Sequence, residues 1–253
     1  MITSKTNELI KHIKSLHQKK YRDEFGEYFV EGKKLVLEAI DEKVNIVKIV
    51  ICNELFSENF NFPKYDVEYV NENVFNFISD TKTPQGILAV IKKNKKTEIL
   101  GDVIFALDDI QDPGNLGTII RTLDCAGINT LLLSEGTADV YNPKTIRSTM
   151  GAIYRVNVLD NLNLISELQK LKCNGYKIVI THLNTNKKHY DLDFSEKLVI
   201  VIGNEAKGVS DAINDLADIR VKIPMLGKTE SLNASVAASI IAYENVRYKE
   251  IKK

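Results

Sequence analysis

The sequence predicts an α/β protein in which a small N-terminal domain precedes a larger domain built on a parallel sheet. After residue 102, short apolar runs alternate with stretches of helical spacing, the pattern of a parallel sheet covered by helices on both faces. Before residue 92 the elements are shorter and less regular. Segment 92–98 holds four lysines and no apolar residue, which is typical of a linker. We therefore predict domains at residues 1–95 and 99–253.

Composition excludes few functions. Lys plus Arg and Asp plus Glu number 34 each, so net charge does not indicate nucleic acid, and any basic surface must be local. Cys52, Cys125 and Cys173 lie far apart in or beside apolar runs, which favours buried, reduced thiols over a disulfide framework or a metal site. The first residues contain no apolar signal segment, and no apolar run approaches a membrane span, so we expect a cytoplasmic protein without a membrane partner.

The N-terminal part begins with a basic, helical segment. Leu9, Ile13 and Leu16 form a narrow apolar stripe at helical spacing. The basic residues around it that could contact RNA are Lys11, Lys14, Lys19, Lys20 and Arg22. The first 34 residues contain eight Lys/Arg and five Asp/Glu, an excess of three. This pattern is typical of a solvated helix face, and it also suits a nucleic-acid contact.

The remaining elements follow from periodicity and turn residues. In the N-terminal part we predict strands at 28–30, 47–52, 67–70 and 86–91, and helices from a turn at 31–32 to about 40 and at 73–79. In the C-terminal part we predict strands at 103–107, 129–133, 177–181, 197–202 and 219–223, and helices from a turn at 111–117 to about 126 and at 143–150, 164–173, 209–216 and 232–249.

The last helix has two unusual features. Ser231 precedes it, and its hydroxyl is expected to cap the first turn. Ala234, Ala237 and Ala238 are small, so another backbone can approach this helix closely.

Polar residues gather where the predicted parallel strands end, and ligands bind at that edge of α/β sheets. They are Asn115, Arg121, Asn204, Glu205, Ser231 and Asn233. Loop 203–208 lacks the Lys-Ser/Thr of a P-loop, and the first βα turn lacks G-x-G-x-x-G, which disfavours nucleoside triphosphatases and ordinary dinucleotide enzymes.

Each candidate also has a structural interpretation. Arg121 can extend past its apolar neighbours to water, Asn115 can satisfy the start of a helix, and His182 can be a histidine of the core or its rim. Ser231 has no His and Asp partners at suggestive positions, which disfavours a hydrolytic triad. Asp108 and Asp109 end a strand without a completing cluster of ligands, which disfavours a metal site.

Three segments together resemble the motifs of the SpoU (TrmH) family of RNA 2′-O-ribose methyltransferases, within the SPOUT superfamily. They are Asp112-Pro-Gly-Asn-Leu-Gly-Thr-Ile-Ile-Arg121, Ile202-Gly-Asn-Glu-Ala-Lys-Gly-Val209 and Ile223-Pro-Met-Leu-Gly-Lys-Thr-Glu-Ser-Leu-Asn-Ala-Ser-Val-Ala-Ala238. The first 90 residues resemble, more loosely, the substrate-binding domain that many members carry, which is similar in fold to ribosomal protein L30e. That match rests on Phe29-Val-Glu-Gly32 and the overall layout.

The resemblance implies a deep trefoil knot in the C-terminal SPOUT domain and S-adenosylmethionine held in a bent form by the knot loops. It also implies a homodimer that has the last helix at its interface and completes the site across that interface. It implies that the cofactor contacts Gly203, Ile223 and Leu232, with Thr181, His182 and Met225 nearby. It implies catalysis by Arg121, supported by Asn115, Glu205, Ser231 and Asn233. The family proposal makes the arginine a general base. Because arginine stays protonated in proteins, we interpret it as a cation that stabilises the forming alkoxide.

The N-terminal domain favours 23S ribosomal RNA as the substrate, because tRNA enzymes of this family often lack that domain. A tRNA 2′-O-methyltransferase and a non-catalytic RNA-binding protein of the same fold remain as alternatives. A different α/β enzyme, such as a small-molecule transferase, is a third.

Overall fold

The computed structural model describes residues 1–58, 62–94 and 98–252. By backbone contacts the chain divides into two compact units, Met1–Lys95 with Tyr141–Tyr154 and Lys96–Val140 with Arg155–Lys253. The division at residues 95–99 stays a prediction. Of the predicted linker, Lys92 ends a strand, and residues 95–97 lie outside the described residues.

The first unit is a mixed sheet covered by helices. Its elements are α1 (Glu8–Ser15), α2 (Lys19–Phe25), β1 (Glu27–Glu31), α3 (Lys33–Asp41), β2 (Ile46–Ile51), β3 (Val67–Tyr69), α4 (Glu72–Ile78) and β4 (Ile87–Lys92). In the described residues the strand order is β1-β4-β2-β3. The β1–β4 and β4–β2 pairs are antiparallel and the β2–β3 pair is parallel. The stripe residues Ile13 and Leu16 are fully buried in its core.

Segment 141–154 groups with this first unit because its side chains pack there. The ring of Tyr141 lies 4.7 Å from that of Tyr28. Arg147 forms an ion pair of 2.6 Å with Asp80. The helix in this segment is α6 (Pro143–Thr149), and the helix that precedes it in the chain is α5 (Pro113–Cys125).

The second unit is a parallel sheet, as the sequence predicts. Its strands are β5 (Val103–Asp108), β6 (Thr130–Ser134), β7 (Asn157–Leu162), β8 (Lys177–Thr181), β9 (Leu198–Gly203) and β10 (Ile219–Val221). Its helices are α5 together with α7 (Leu164–Cys173), α8 (Asp211–Leu216) and α9 (Ala234–Ile251). In the described part of the chain the order is β10-β8-β9-β5-β6-β7, and each pair is parallel. The central strands β5 and β9 are buried throughout, which explains their continuous apolar runs.

Several expectations need correction. Strand β7 was not predicted, because it lies at the sheet edge, where only its first residue is buried and the apolar signal is weak. Cys52 is buried, but Cys125 and Cys173 are exposed. Each of these two is the last residue of a helix that buries its opposite face. No helix among the described residues is both long enough and apolar enough to cross a bilayer.

The cap of α9 is Asn233, so the prediction that Ser231 caps this helix was wrong. The helix begins at Ala234, and Asn233 Oδ1 accepts from the backbone nitrogens of Ser235 at 2.9 Å and Val236 at 3.4 Å. Ser231 lies two residues too early to reach these donors.

We expect Asn233→Ala to lower the free energy of unfolding by about 1 kcal/mol, because it leaves early helix N–H groups unpaired. Ser231→Ala should leave it unchanged within error. Urea denaturation of both variants measures the difference, and an equal loss in the two would contradict the assignment of the cap.

Candidate functional site

Three neighbouring strands of the second unit deliver their last residues to one cleft. β10, β8 and β9 lie side by side in the sheet, and they end at Val221, Thr181 and Gly203. The cleft that these residues line has a volume of about 570 Å³, within the range of small-molecule sites. Its walls are the segments 181–184, 202–209, 221–223 and 230–232, with side chains from α8 and α9.

Every residue that the resemblance assigns to the cofactor lines this cleft. They are Thr181, His182, Gly203, Ile223, Met225 and Leu232. The nitrogen Nδ1 of His182 accepts a hydrogen bond of 3.1 Å from the backbone of Asn184. This bond leaves Nε2 as the ring nitrogen without a partner among the described residues.

Asn204 folds the loop 203–208, which forms one wall. Its Nδ2 donates to the carbonyl of Asp109 at 2.8 Å, and its Oδ1 accepts from the backbone of Ala206 at 2.9 Å. Its backbone exchanges bonds of 3.0 and 2.8 Å with Gly208. These bonds present Glu205 at the tip of the loop. The sequence placed Asn204 at a strand end, but its role became visible only in the structure.

Glycine is required at the start of this loop. A Cβ at Gly203 would overlap the backbone of Gly208 and Val209. At the far end of the loop, the buried carboxylate of Asp108 accepts from the backbone nitrogen of Ser210 at 2.8 Å. The loop is thus fixed at both ends before any ligand binds.

Three of the five predicted catalytic residues are joined by hydrogen bonds. Asn115 Nδ2 donates to Glu205 Oε1 at 2.7 Å, and Asn233 Nδ2 donates to Asn115 Oδ1 at 3.0 Å. These partners are 90 and 118 residues apart in sequence, and each comes from a different motif. Because Asn233 also caps α9, the chain of bonds connects a carboxylate to a helix N-terminus and orients both amides.

Arg121 and Ser231 stand apart from that group. Both are exposed, and neither forms a hydrogen bond or an ion pair with any residue that the structure describes. Ser231 lines the cleft, whereas Arg121 is absent from its described lining. By contrast, Arg155 and Arg247 pair with Asp124 and Glu244. Among the described residues of one copy of the chain, no hydrogen bond or ion pair joins Arg121 to the Asn115–Glu205–Asn233 group.

The small residues of α9 pack against α5. Ala238 and Ala242 are fully buried, and the hydroxyls of Ser239 and Thr122 lie 3.1 Å apart. Ala237 faces the cleft. The neighbour that these small side chains allow to approach closely is therefore α5, within the second unit.

Among the basic residues predicted to contact RNA, Arg22 needs correction. It is only 2% exposed, and its Nη1 donates to the carbonyl of Leu16 at 2.6 Å. That carbonyl belongs to the end of α1, where unpaired carbonyls attract cations. Arg22 therefore does not offer its guanidinium to RNA.

The remaining basic residues behave differently from Arg22. They are Lys11, Lys14, Lys19 and Lys20, and within the described ranges none has a carboxylate partner. The ammonium of Lys14 lies 5.2 Å from the Phe77 ring, and that of Lys20 lies 5.4 Å from the Tyr21 ring. Within the same ranges, no cluster of three or more His, Cys, Asp or Glu side chains could hold a metal ion.

Comparisons with known proteins agree with this architecture. The model of the SpoU rRNA Methylase family matches residues 102–243, and that of the MRM3-like substrate binding domain matches residues 7–89. The chain is 34% identical over 242 residues to the 23S rRNA (guanosine(2553)-2′-O)-methyltransferase RlmP of Bacillus subtilis. The matched region covers 96% of this chain and 97% of that protein.

Solved structures of RNA methyltransferases are also similar to this chain. An AdoMet-bound rRNA methyltransferase from Sinorhizobium meliloti is 30% identical with a TM-score of 0.86, covering 98% of this chain and 97% of that one. The TrmH/SpoU tRNA modifying enzyme of A. aeolicus is 31% identical with a TM-score of 0.54, covering 62% of this chain and 79% of that one. The family model spans more than half of the chain and the curated relative nearly all of it, and the protein therefore belongs to the SpoU rRNA methylase family.

Proposed function

We propose that this protein transfers a methyl group from S-adenosylmethionine to a ribose 2′-hydroxyl of 23S ribosomal RNA in the cytoplasm. The observation that carries the proposal is the hydrogen-bonded group Asn115–Glu205–Asn233, whose Glu205 lines the cleft at the ends of β8, β9 and β10. Family membership supports the reaction class.

The cleft suits S-adenosylmethionine by volume and by charge. The residues that line it include three acidic ones, Glu205, Asp211 and Glu230, and two basic ones, Lys207 and Lys222. The cofactor carries a sulfonium, an ammonium and a carboxylate, so groups of both signs are needed. When bound, it supplies the activated methyl group. The backbone of loop 203–208 and the ring of His182 would hold the adenosine part.

The chain's own residues must make a poor nucleophile react. A ribose 2′-hydroxyl loses its proton as it attacks, so the site must position the ribose and stabilise negative charge. We assign the charge stabilisation to Arg121, whose guanidinium has no partner in the described residues, and the positioning to Asn115, Glu205, Ser231 and Asn233. The exposed hydroxyl of Ser231 in the cleft wall would bind the acceptor nucleotide.

Because Arg121 lies outside its own cleft, we propose that it acts in the site of a second copy in a homodimer. The surface of α9 supports this arrangement. Val236 is 44% exposed and Tyr243 is 52% exposed, and residues seven apart lie on the same side of a helix. Two such faces would bury each other across a two-fold axis. The deep trefoil knot implied by the resemblance remains part of this proposal.

Ribosomal RNA is favoured over tRNA by the extent of the matches. The Bacillus subtilis 23S rRNA enzyme and the Sinorhizobium meliloti rRNA enzyme cover nearly the whole chain, whereas the tRNA modifying enzyme covers 62% of it. The substrate-binding family model accounts for residues 7–89, where the unpaired lysines lie. The acceptor that these matches support best is guanosine 2553 of 23S rRNA, which the relative's name specifies.

Methylation mapping tests the function. Ribosomal RNA from a strain lacking the gene should lack one 2′-O-methyl group, seen as renewed cleavage by alkali at one nucleotide. The purified protein with S-adenosylmethionine should restore it. Loss of a tRNA methyl group instead would support the tRNA alternative. A complete set of methyl groups in both RNAs would favour a non-catalytic RNA-binding protein or a small-molecule transferase.

We expect S-adenosylmethionine alone to stabilise the protein against heat. A ligand that binds only the folded state at 100 times its Kd adds about 2.7 kcal/mol. Differential scanning calorimetry with adenosine triphosphate as the control ligand measures this. An equal shift with the nucleotide would argue against a site that recognises S-adenosylmethionine.

A further inference from the structure

A row of aromatic rings lies on the surface of α1 and α2. The rings of Tyr21 and Phe25, one helical turn apart, stack with an interplanar angle of 14° and a centroid distance of 6.2 Å. The ring of His12 meets Phe25 edge-on at 4.7 Å. Phe25 is 42% exposed. Neither Tyr21 nor Phe25 belongs to the buried cluster of this unit, to which α1 contributes Ile10 and Ile13.

The charged side chains beside these rings favour the binding of an anion. Lys19 and Lys20 have no carboxylate partner in the described ranges, and the ammonium of Lys20 lies over Tyr21 at 5.4 Å. Two of the nearby carboxylates are already engaged. Asp23 pairs with Lys93 at 2.6 Å, and Glu27 accepts from His12 at 2.8 Å. Of the two carboxylates on α2, Asp23 is thus paired with Lys93, and Glu24 is the one left to offset the lysines among the described residues.

An aromatic pair made of the exposed Phe25 and the half-buried Tyr21, beside ammonium groups without carboxylate partners in the described residues, suits one kind of RNA. In a duplex the bases stack on each other and their faces are not accessible, whereas an unpaired base can stack on a protein ring. Such a stack contributes about 1–3 kcal/mol per base. Lysines next to the ring then neutralise the adjoining phosphates.

We propose that Tyr21 and Phe25 form a stacking platform for an unpaired base, and that Lys19 and Lys20 bind the phosphates beside it. The proposal rests on the proposed function, which supplies an RNA substrate. It adds that the RNA segment held by the N-terminal unit is a loop, a bulge or a single-stranded end with unpaired bases, and not a base-paired duplex.

The chain contains no tryptophan, so Phe25→Trp introduces a single fluorescent reporter at the platform. We would titrate this variant with a hairpin RNA that has an unpaired loop, and with a blunt RNA duplex of the same phosphate number. Base stacking quenches indole fluorescence, so the hairpin should quench Trp emission and the duplex should not. Tyr69→Trp is the matched control, because Tyr69 has the same 42% exposure and no ammonium group over its ring in the described residues.

A second variant separates stacking from folding. Phe25→Leu keeps an apolar side chain against His12 and Tyr21 but removes the aromatic face. It should weaken hairpin binding by about 5- to 150-fold, the range expected for one lost base stack, and leave duplex binding unchanged. Phe25→Tyr keeps an aromatic ring and should bind the hairpin as the unchanged protein does. Tyr69→Leu should bind both RNAs as the unchanged protein does.

Two results would overturn the platform: equal quenching by hairpin and duplex, or unchanged hairpin affinity of Phe25→Leu. Binding of S-adenosylmethionine and methyl transfer by the unchanged protein are measured alongside. If the unchanged protein binds the cofactor and methylates RNA while the Phe25 variants give the same results as the Tyr69 variants, only the stacking platform is wrong. If the unchanged protein neither binds the cofactor nor methylates RNA, the proposed function fails instead.

Discussion

Arg121→Ala is expected to lower kcat for RNA methylation by at least about 100-fold, the effect of removing one group that stabilises transition-state charge. The Kd of S-adenosylmethionine should stay nearly unchanged, because Arg121 does not line the cleft. Single-turnover kinetics and calorimetric titration of the cofactor measure the two quantities. Arg155→Ala is the matched control in the same unit. Arg155 holds Asp124 in an ion pair, and its loss should leave kcat within about twofold, as for a surface pair.

The same variant tests whether Arg121 acts in the partner's site. In the proposed homodimer, Arg121→Ala in both copies and Glu205→Ala in both copies should each abolish activity. Mixed dimers of the two would contain one site with an intact Glu205 and an intact partner arginine. With random assortment in a two-fold dimer, about a quarter of the wild-type activity should return. If Arg121 served its own cleft, mixing would restore none. A comparable rate in Arg121→Ala alone would remove this residue from catalysis altogether.

Gly203→Ala is expected to abolish cofactor binding and to lower the free energy of unfolding by about 1–3 kcal/mol, the usual effect of overpacking. The added Cβ would overlap the backbone where loop 203–208 closes on itself, and backbone cannot move aside as a side-chain tip can. The wall of the cleft must therefore open. Urea denaturation and titration with S-adenosylmethionine measure the two effects.

Gly227→Ala is the control for that substitution. Gly227 lies in the loop before α9, and a Cβ there would meet no atom within 4 Å. Stability and cofactor affinity should both be retained. A Gly203→Ala protein that still binds S-adenosylmethionine normally would show that the fixed loop is not part of the binding site.

Much of the architecture could be predicted from local pattern. Strands β5 and β9 are buried on both faces, so their sequences are continuous apolar runs. The helix α7 was predicted with its observed limits, since Asn174-Gly175 follows its end, and the structure adds that Asn163 caps its start. The cleft was predicted from strand ends, because parallel strands place their carboxyl ends at one edge.

For several residues the local sequence pattern predicted the wrong role. Ser231 and Asn233 are both suitable caps, and only the path of the chain decides that Asn233 reaches the first N–H groups of α9. The sequence predicts that Arg22 is a surface cation, yet its guanidinium donates to a carbonyl at the end of α1. Cys125 shares a helix with buried leucine and isoleucine but lies on its exposed side.

By itself the sequence determined the parallel sheet, the residues at its carboxyl edge and the motifs of the family, because burial periodicity and strand ends are local properties. Only the tertiary structure decided that Glu205, Asn115 and Asn233 form one chain of hydrogen bonds, and that Arg121 is left outside it. Those bonds join segments 90 and 118 residues apart. No local pattern encodes such a distance, since it depends on how the whole sheet brings its loops together.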